Sequence, residues 1–111
     1  MAETAIEVRE YQTEDGRKPF QEWLRDLRDR EARVRIRVRL DRILLGNLGD
    51  AKSVGGGVSE LRISYGPGYR IYFGRDGNRI VILLCGGDKR TQRQNIEDAH
   101  LFWADYKRRN E

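Results

Sequence analysis

Arginine and lysine set into short apolar segments, with one carboxylate and one phenol among them, make Glu60 to Arg90 the stretch best suited to chemistry on a phosphate. Val58 to Tyr65, Tyr69 to Gly74 and Ile80 to Cys85 are rich in β-formers, and the turn-formers Gly66-Pro67-Gly68 and Asp76-Gly77-Asn78 separate them, so the three segments read as a meander. Side chains alternate along a strand. Leu61, Ile63, Tyr69, Ile71 and Phe73 therefore form an apolar row, and Glu60, Arg62, Arg70 and Tyr72 share the opposite face, with Lys89 and Arg90 just beyond the third strand. Cutting RNA at a 2′-OH requires a base, stabilisation of charge on the phosphorane, and a proton for the leaving oxygen. Arginine and lysine supply the charge; Glu60, Tyr72 or Lys89 are the candidate bases. A solvated cross-strand ion pair of Glu60 with Arg62 or Arg70 is the plain structural alternative.

The elements around this stretch can be read from periodicity. Ile6 to Tyr11 alternates apolar and charged residues and predicts a strand. Pro19 opens a helix carrying Phe20, Trp23, Leu24 and Leu27 on one face and ending near Asp29. Arg33 to Leu40 alternates strictly, yet Ala32, Ile36, Leu40, Ile43 and Leu44 fall in one arc of a helical wheel with Asp29 as cap, which predicts a second helix. Val34, Val38 and Leu45 form another apolar stripe on it, expected to be where the first helix packs and otherwise a place for a partner. Gly49 to Gly57 reads as a loop whose glycines lack the Lys-Ser/Thr of a phosphate cradle. Thr91 to Gln94 has the spacing of a capping box, and Ile96, Ala99, Trp103 and Tyr106 continue as a last helix with Lys107, Arg108 and Arg109 at its C-terminal end.

Composition narrows the classes. The 111 residues suit one domain, and no apolar run approaches the roughly 18 residues that a membrane span needs. Met1 to Glu10 lacks the apolar centre of a secretory signal, so the expected location is cytoplasmic. Between Ala32 and Arg90 there are 12 Lys and Arg against 5 Asp and Glu, a net of +7, while the whole chain carries only +4. Arginine makes up 18 of the 22 basic residues, and its planar fork pairs with phosphate oxygens, which favours a nucleic-acid partner. Arg33, Arg35, Arg37, Arg39, Lys52 and Tyr72 are the candidate RNA-binding residues. Cys85 and His100 are the sole cysteine and histidine and read as structural, so no metal or other cofactor is expected. Trp23, Tyr69 and Trp103 read as core.

Several blocks also carry a resemblance. Val58 to Arg62, Gly66-Pro67-Gly68-Tyr69-Arg70-Ile71-Tyr72-Phe73, Leu83 to Lys89 with Gln92, Ile96 and Ala99, and Gly46 to Lys52 resemble the HigB-like (phage Gp49-like) addiction module killer protein branch of the RelE/ParE toxin superfamily. The resemblance implies a compact α+β domain, helices packed on a twisted antiparallel sheet, and a toxin neutralised by a cognate helix-turn-helix antitoxin. In the RelE and HigB branches the activity is cleavage of mRNA in the ribosomal A site. Arg70 matches the arginine that binds and polarises the scissile phosphate in RelE toxins, and Arg90 matches a proposed acid. The RelE lysines of the preceding strand align with Val58 and Glu60, the catalytic tyrosine aligns near Ile96, and the HigB histidines are missing, so no base carries over. Arg62, Lys89 and Lys52 stand in by charge and position. ParE-type relatives share the fold but poison DNA gyrase, which keeps a non-cleaving inhibitor and an inactive toxin-like binding module as alternatives.

Overall fold

A computed structural model describes residues 6–111. The element order is β1 (Glu7–Glu10), α1 (Pro19–Asp26), α2 (Arg30–Leu44), β2 (Lys52–Ser53), β3 (Val58–Ile63), β4 (Tyr69–Asp76), β5 (Ile80–Gly87), a 3-10 turn (Lys89–Thr91) and α3 (Gln92–Arg109). The strands form one sheet in the order β1-β5-β4-β3-β2. The meander β3-β4-β5 is antiparallel as its turns require, whereas β1 lies parallel to β5, pairing Val8 with Val81. This is an α+β fold of three helices on a five-stranded, mostly antiparallel sheet. Part of the Met1 to Glu10 leader reading falls on residues 1–5, outside the described residues. Among the described residues no helix is long and apolar enough to cross a membrane.

Each face of the sheet is covered by helix. Leu61, Ile63, Ile71, Phe73, Val81 and Leu83 pack against Phe20 of α1 and Ala32, Ile36 and Ile43 of α2. On the other face Val58, Tyr72, Ile82, Leu84 and Cys85 meet Ala99 and Trp103 of α3. A register shift between Tyr72 and Phe73 sets Tyr72 opposite Cys85 and Phe73 opposite Leu83, so Leu84 is the extra residue of a bulge. Beyond it the alternation changes phase, and Gly86 and Gly87 serve opposite helices. A Cβ on Gly86 would run into the Trp23 indole of α1, and one on Gly87 into Asn95 and Thr91 at the start of α3. The Gly-Gly pair is the condition for both helices to lie close to this end of β5.

Three expectations need correction. The loop at 49–57 contains β2, a two-residue edge strand that pairs Lys52 with Glu60. The stripe on α2 is not covered by α1: Val34 is 54% exposed, Val38 42% and Leu45 78%. The first helix stops at Asp26 and fills the sheet groove with Phe20, and between it and α2 an open groove is left in which Val34 is uncovered. The last helix does not begin with a Thr91 to Gln94 box. Asp88 is the cap, accepting from the N–H groups of Arg90 and Thr91, and the Thr91 hydroxyl accepts from the Asp88 N–H. A carboxylate one turn earlier satisfies the free donors better than a hydroxyl that is already bonded to Asn95.

Candidate functional site

Two transverse rows of side chains cross the α3 face of the sheet. Directly opposed residues on antiparallel strands share a face, so the first row is Lys52, Glu60, Tyr72 and Cys85, and the second is Arg62, Arg70 and Gly87. The alternation in sequence thus assembles four of the predicted residues as expected, and the edge strand adds Lys52 to them.

Glu60 is the centre of the arrangement and is fully buried, with 0% exposure. Its Oε2 accepts from the Tyr72 hydroxyl at 2.9 Å and from Gln92 Nε2 at 2.8 Å, and its Oε1 accepts from Arg62 Nε at 3.3 Å. Arg70 Nε lies 3.5 Å from Oε2. Burial pushes this carboxyl up, but the hydrogen bonds from Gln92, Tyr72 and Arg62 and the charge of Arg70 together hold it below the ordinary carboxylate value. Glu60 is therefore ionised at neutral pH, and its oxygens are occupied. It is an anchor for Arg70 and makes a poor proton acceptor.

Tyr72, expected on an RNA-facing surface, is enclosed at 0% exposure. Burial and the adjoining Glu60 carboxylate raise its phenol far above the usual range, so it stays protonated and donates. Its place is underneath the site, where no ligand can reach it. Gln92, the first residue of α3, is the functional neighbour that the reading by strand faces passed over. It ties the helix to Glu60, and only the packing of α3 over β3 reveals it.

Arg70 itself is 6% exposed. Its Nη1 donates to the Gly68 carbonyl at 2.7 Å, which fixes the guanidinium at the turn, while its buried Nε faces Glu60 as an ion pair without a hydrogen bond. Gly68 has φ +81°, which favours glycine, and a Cβ there would lie 3.3 Å from Arg70 Nη1 and 3.8 Å from Lys89 Cβ. The bare backbone at Gly68 is thus a small opening shared by Arg70 and Lys89. Lys89 is exposed and its N–H is 3.4 Å from the Pro67 carbonyl, which fixes it beside the same turn. The Arg62 side chain is 48% exposed at the rim. Arg90 projects into solvent, 86% exposed and 3.8 Å from Asp88.

The arginines of α2 do not act as one strip. Successive residues at a spacing of two lie on opposite sides of a helix. Arg35 stacks over Tyr65 at 4.6 Å and Arg39 donates to the Arg62 carbonyl at 3.1 Å, so these two adjoin β3. Arg33 and Arg37 line a groove facing α1. Cys85 is buried, which pushes its thiol up to about 12, and it contacts the Asn95 carbonyl; it is inert packing. His100 holds the 54–57 loop through the Val54 and Gly55 carbonyls at 3.1 and 3.0 Å. Among the described residues no three His, Cys, Asp or Glu side chains come together as a metal ion would need.

The chain belongs to the family described as phage derived protein Gp49-like, whose model matches residues 22–107, from α1 through nearly all of α3. A protein of Haemophilus influenzae, described as uncharacterized, is 48% identical over 83 residues, covering 75% of this chain and 84% of its own length.

Proposed function

We propose that this chain is the toxin of a toxin-antitoxin pair. In this reading it is restrained by a cognate helix-turn-helix antitoxin and acts in the cytoplasm as a metal-independent endoribonuclease on ribosome-bound mRNA. The observation that carries the reading is Arg70: a guanidinium backed by an ionised carboxylate, fixed to a glycine turn and opening beside an exposed lysine. Charge grows on the phosphate oxygens as an RNA strand is cut, and a donor already oriented meets that charge without reorganising. Arg70 stabilises the phosphorane, Arg62 and Lys89 flank it, and Arg90 and Lys52 extend the cationic rim toward the rest of the strand. Arg35 and Arg39 continue this surface onto α2. Membership of the Gp49-like family supports a toxin, given the resemblance of its sequence blocks to killer proteins.

A second reading has its own support. Glu60 and Tyr72 are both engaged and buried, which leaves Arg70 without an acid-base partner apart from the amine of Lys89. A binding inhibitor that arrests its target without cleavage, such as a gyrase poison, needs no such partner. Pulsed expression followed by mapping of mRNA 5′ ends separates the two. The cleavage reading expects new ends within translated codons for the natural chain and none for Arg70→Ala. Growth arrest with unchanged mRNA ends overturns cleavage, and loss of supercoiling activity in the same cells establishes the second reading.

A further inference from the structure

On the far side of α2 from Arg35 and Arg39, the molecule has a groove of about 970 Å³ between α1, α2 and β1. It is apolar at Leu24, Val34 and Leu40 and cationic at Arg30, Arg33 and Arg37. Val34 is 54% exposed, and Val38, one turn further along the same helix, is 42% exposed. None of the three arginines has a carboxylate within ion-pair distance among the described residues; Arg33 donates instead to the Leu27 carbonyl at 3.2 Å. One acid lines the groove, Glu10, and its Oε1 is shielded from water with no donor.

We infer that this groove is the docking site of an acidic amphipathic helix from a partner protein. The apolar stripe calls for side chains that exclude water, which a nucleic-acid backbone does not provide, while the uncompensated arginines call for carboxylates on either side of that stripe. A second copy of this chain would bring its own arginines against these, so self-pairing is opposed by charge. The 15 residues of α2 give a wall roughly 22 Å long, which accommodates about four turns of helix. The inference holds whether or not the chain cuts RNA, because the groove is formed by the face of α2 that does not adjoin the Arg70 surface.

The test uses the whole chain and a fluorescent helical peptide of four turns, with leucine at i, i+3, i+4 and i+7 and glutamate on its flanks. The control is a peptide of the same composition with the leucines scrambled, and a single-stranded RNA oligonucleotide is the third probe. The patterned peptide should bind one to one, shift the methyl resonances of Leu24, Val34 and Leu40, and bind at least tenfold tighter than the scrambled peptide. Arg37→Glu, an exposed change that leaves the core alone, should weaken it at least tenfold. Equal binding of the two peptides would overturn the inference as unspecific charge attraction. So would displacement of the peptide by RNA from the same methyl groups, or failure of the patterned peptide to bind.

Discussion

The two faces of the sheet are closed by opposite means. Toward α1 and α2 the contact is apolar throughout, Leu61, Ile71 and Phe73 against Phe20 and Ile36, and it can hold many shapes of side chain so long as volume is kept. Toward α3 an apolar half, Tyr72, Leu84 and Trp103, gives way at Gln92 to a buried carboxylate with four polar neighbours. A charge removed from water is costly unless every lone pair is answered, so this half tolerates one arrangement only. The difference separates a face that only stabilises the fold from one that also orients Arg70.

Substitutions on the two sides should divide accordingly. Glu60→Leu strands Arg70, Tyr72 and Gln92 together and should lower stability by about 3–5 kcal/mol in urea denaturation. Ile36→Ala should cost a similar 2–5 kcal/mol or so. At a temperature where both stay folded, Ile36→Ala should retain toxicity and Glu60→Leu should lose it; equal toxicity would remove the distinction between the faces. Arg70→Ala should reduce mRNA cleavage on the order of hundredfold but also strands the buried Glu60; Arg70→Lys, which keeps a charge beside Glu60 and loses the planar fork, should lower cleavage with its circular dichroism spectrum intact. The glycine pair sharpens the comparison at one spot on β5. Gly86→Ala presses on Trp23 and Gly87→Ala on Asn95, each an overpacking expected to cost about 1–3 kcal/mol, but only the second displaces the first turn of α3 and so lowers cleavage beyond its effect on stability.

The smallest effect is with pH. Glu60 is held below its ordinary value of 4.5 in the folded chain. Between the two values the unfolded chain binds the proton more readily, so stability rises with pH, is fully present above 4.5 and is lost as pH falls through the folded value. The urea midpoint of the natural chain should climb across that acid window, and the climb should be shallower in Glu60→Gln. Identical slopes would assign the acid sensitivity to another carboxylate.

Much of this was legible in the chain because the pattern is local. Glu60, Arg62, Arg70 and Tyr72 fall on one face by simple alternation, and Asp29 caps α2 as its position suggests. What stayed hidden depends on partners distant in sequence. Nothing in Val8 specifies Val81 as its neighbour, and a two-residue strand at Lys52 has too little pattern to be read. The bulge at Leu84 changes the phase of β5 without changing its composition, so the opposite duties of Gly86 and Gly87 are invisible until both helices are placed. Burial is the other gap: the same alternation puts Tyr72 on the site's face whether it is open or covered, and only α3 decides that it is covered.

The bond from Gln92 to Glu60 also sets an order on biosynthesis. Every strand leaves the ribosome before α3 does, so for a time Glu60 and Arg70 exist on a sheet whose second face is bare. Water reaches the carboxylate, its hold on the guanidinium is weakened by the surrounding solvent, and the orientation on which the proposed cleavage depends is missing. If the chain acts on translation as proposed, it is assembled by its own target in a form that cannot yet attack it, and would become competent only when the segment beyond Thr91 has emerged and folded down.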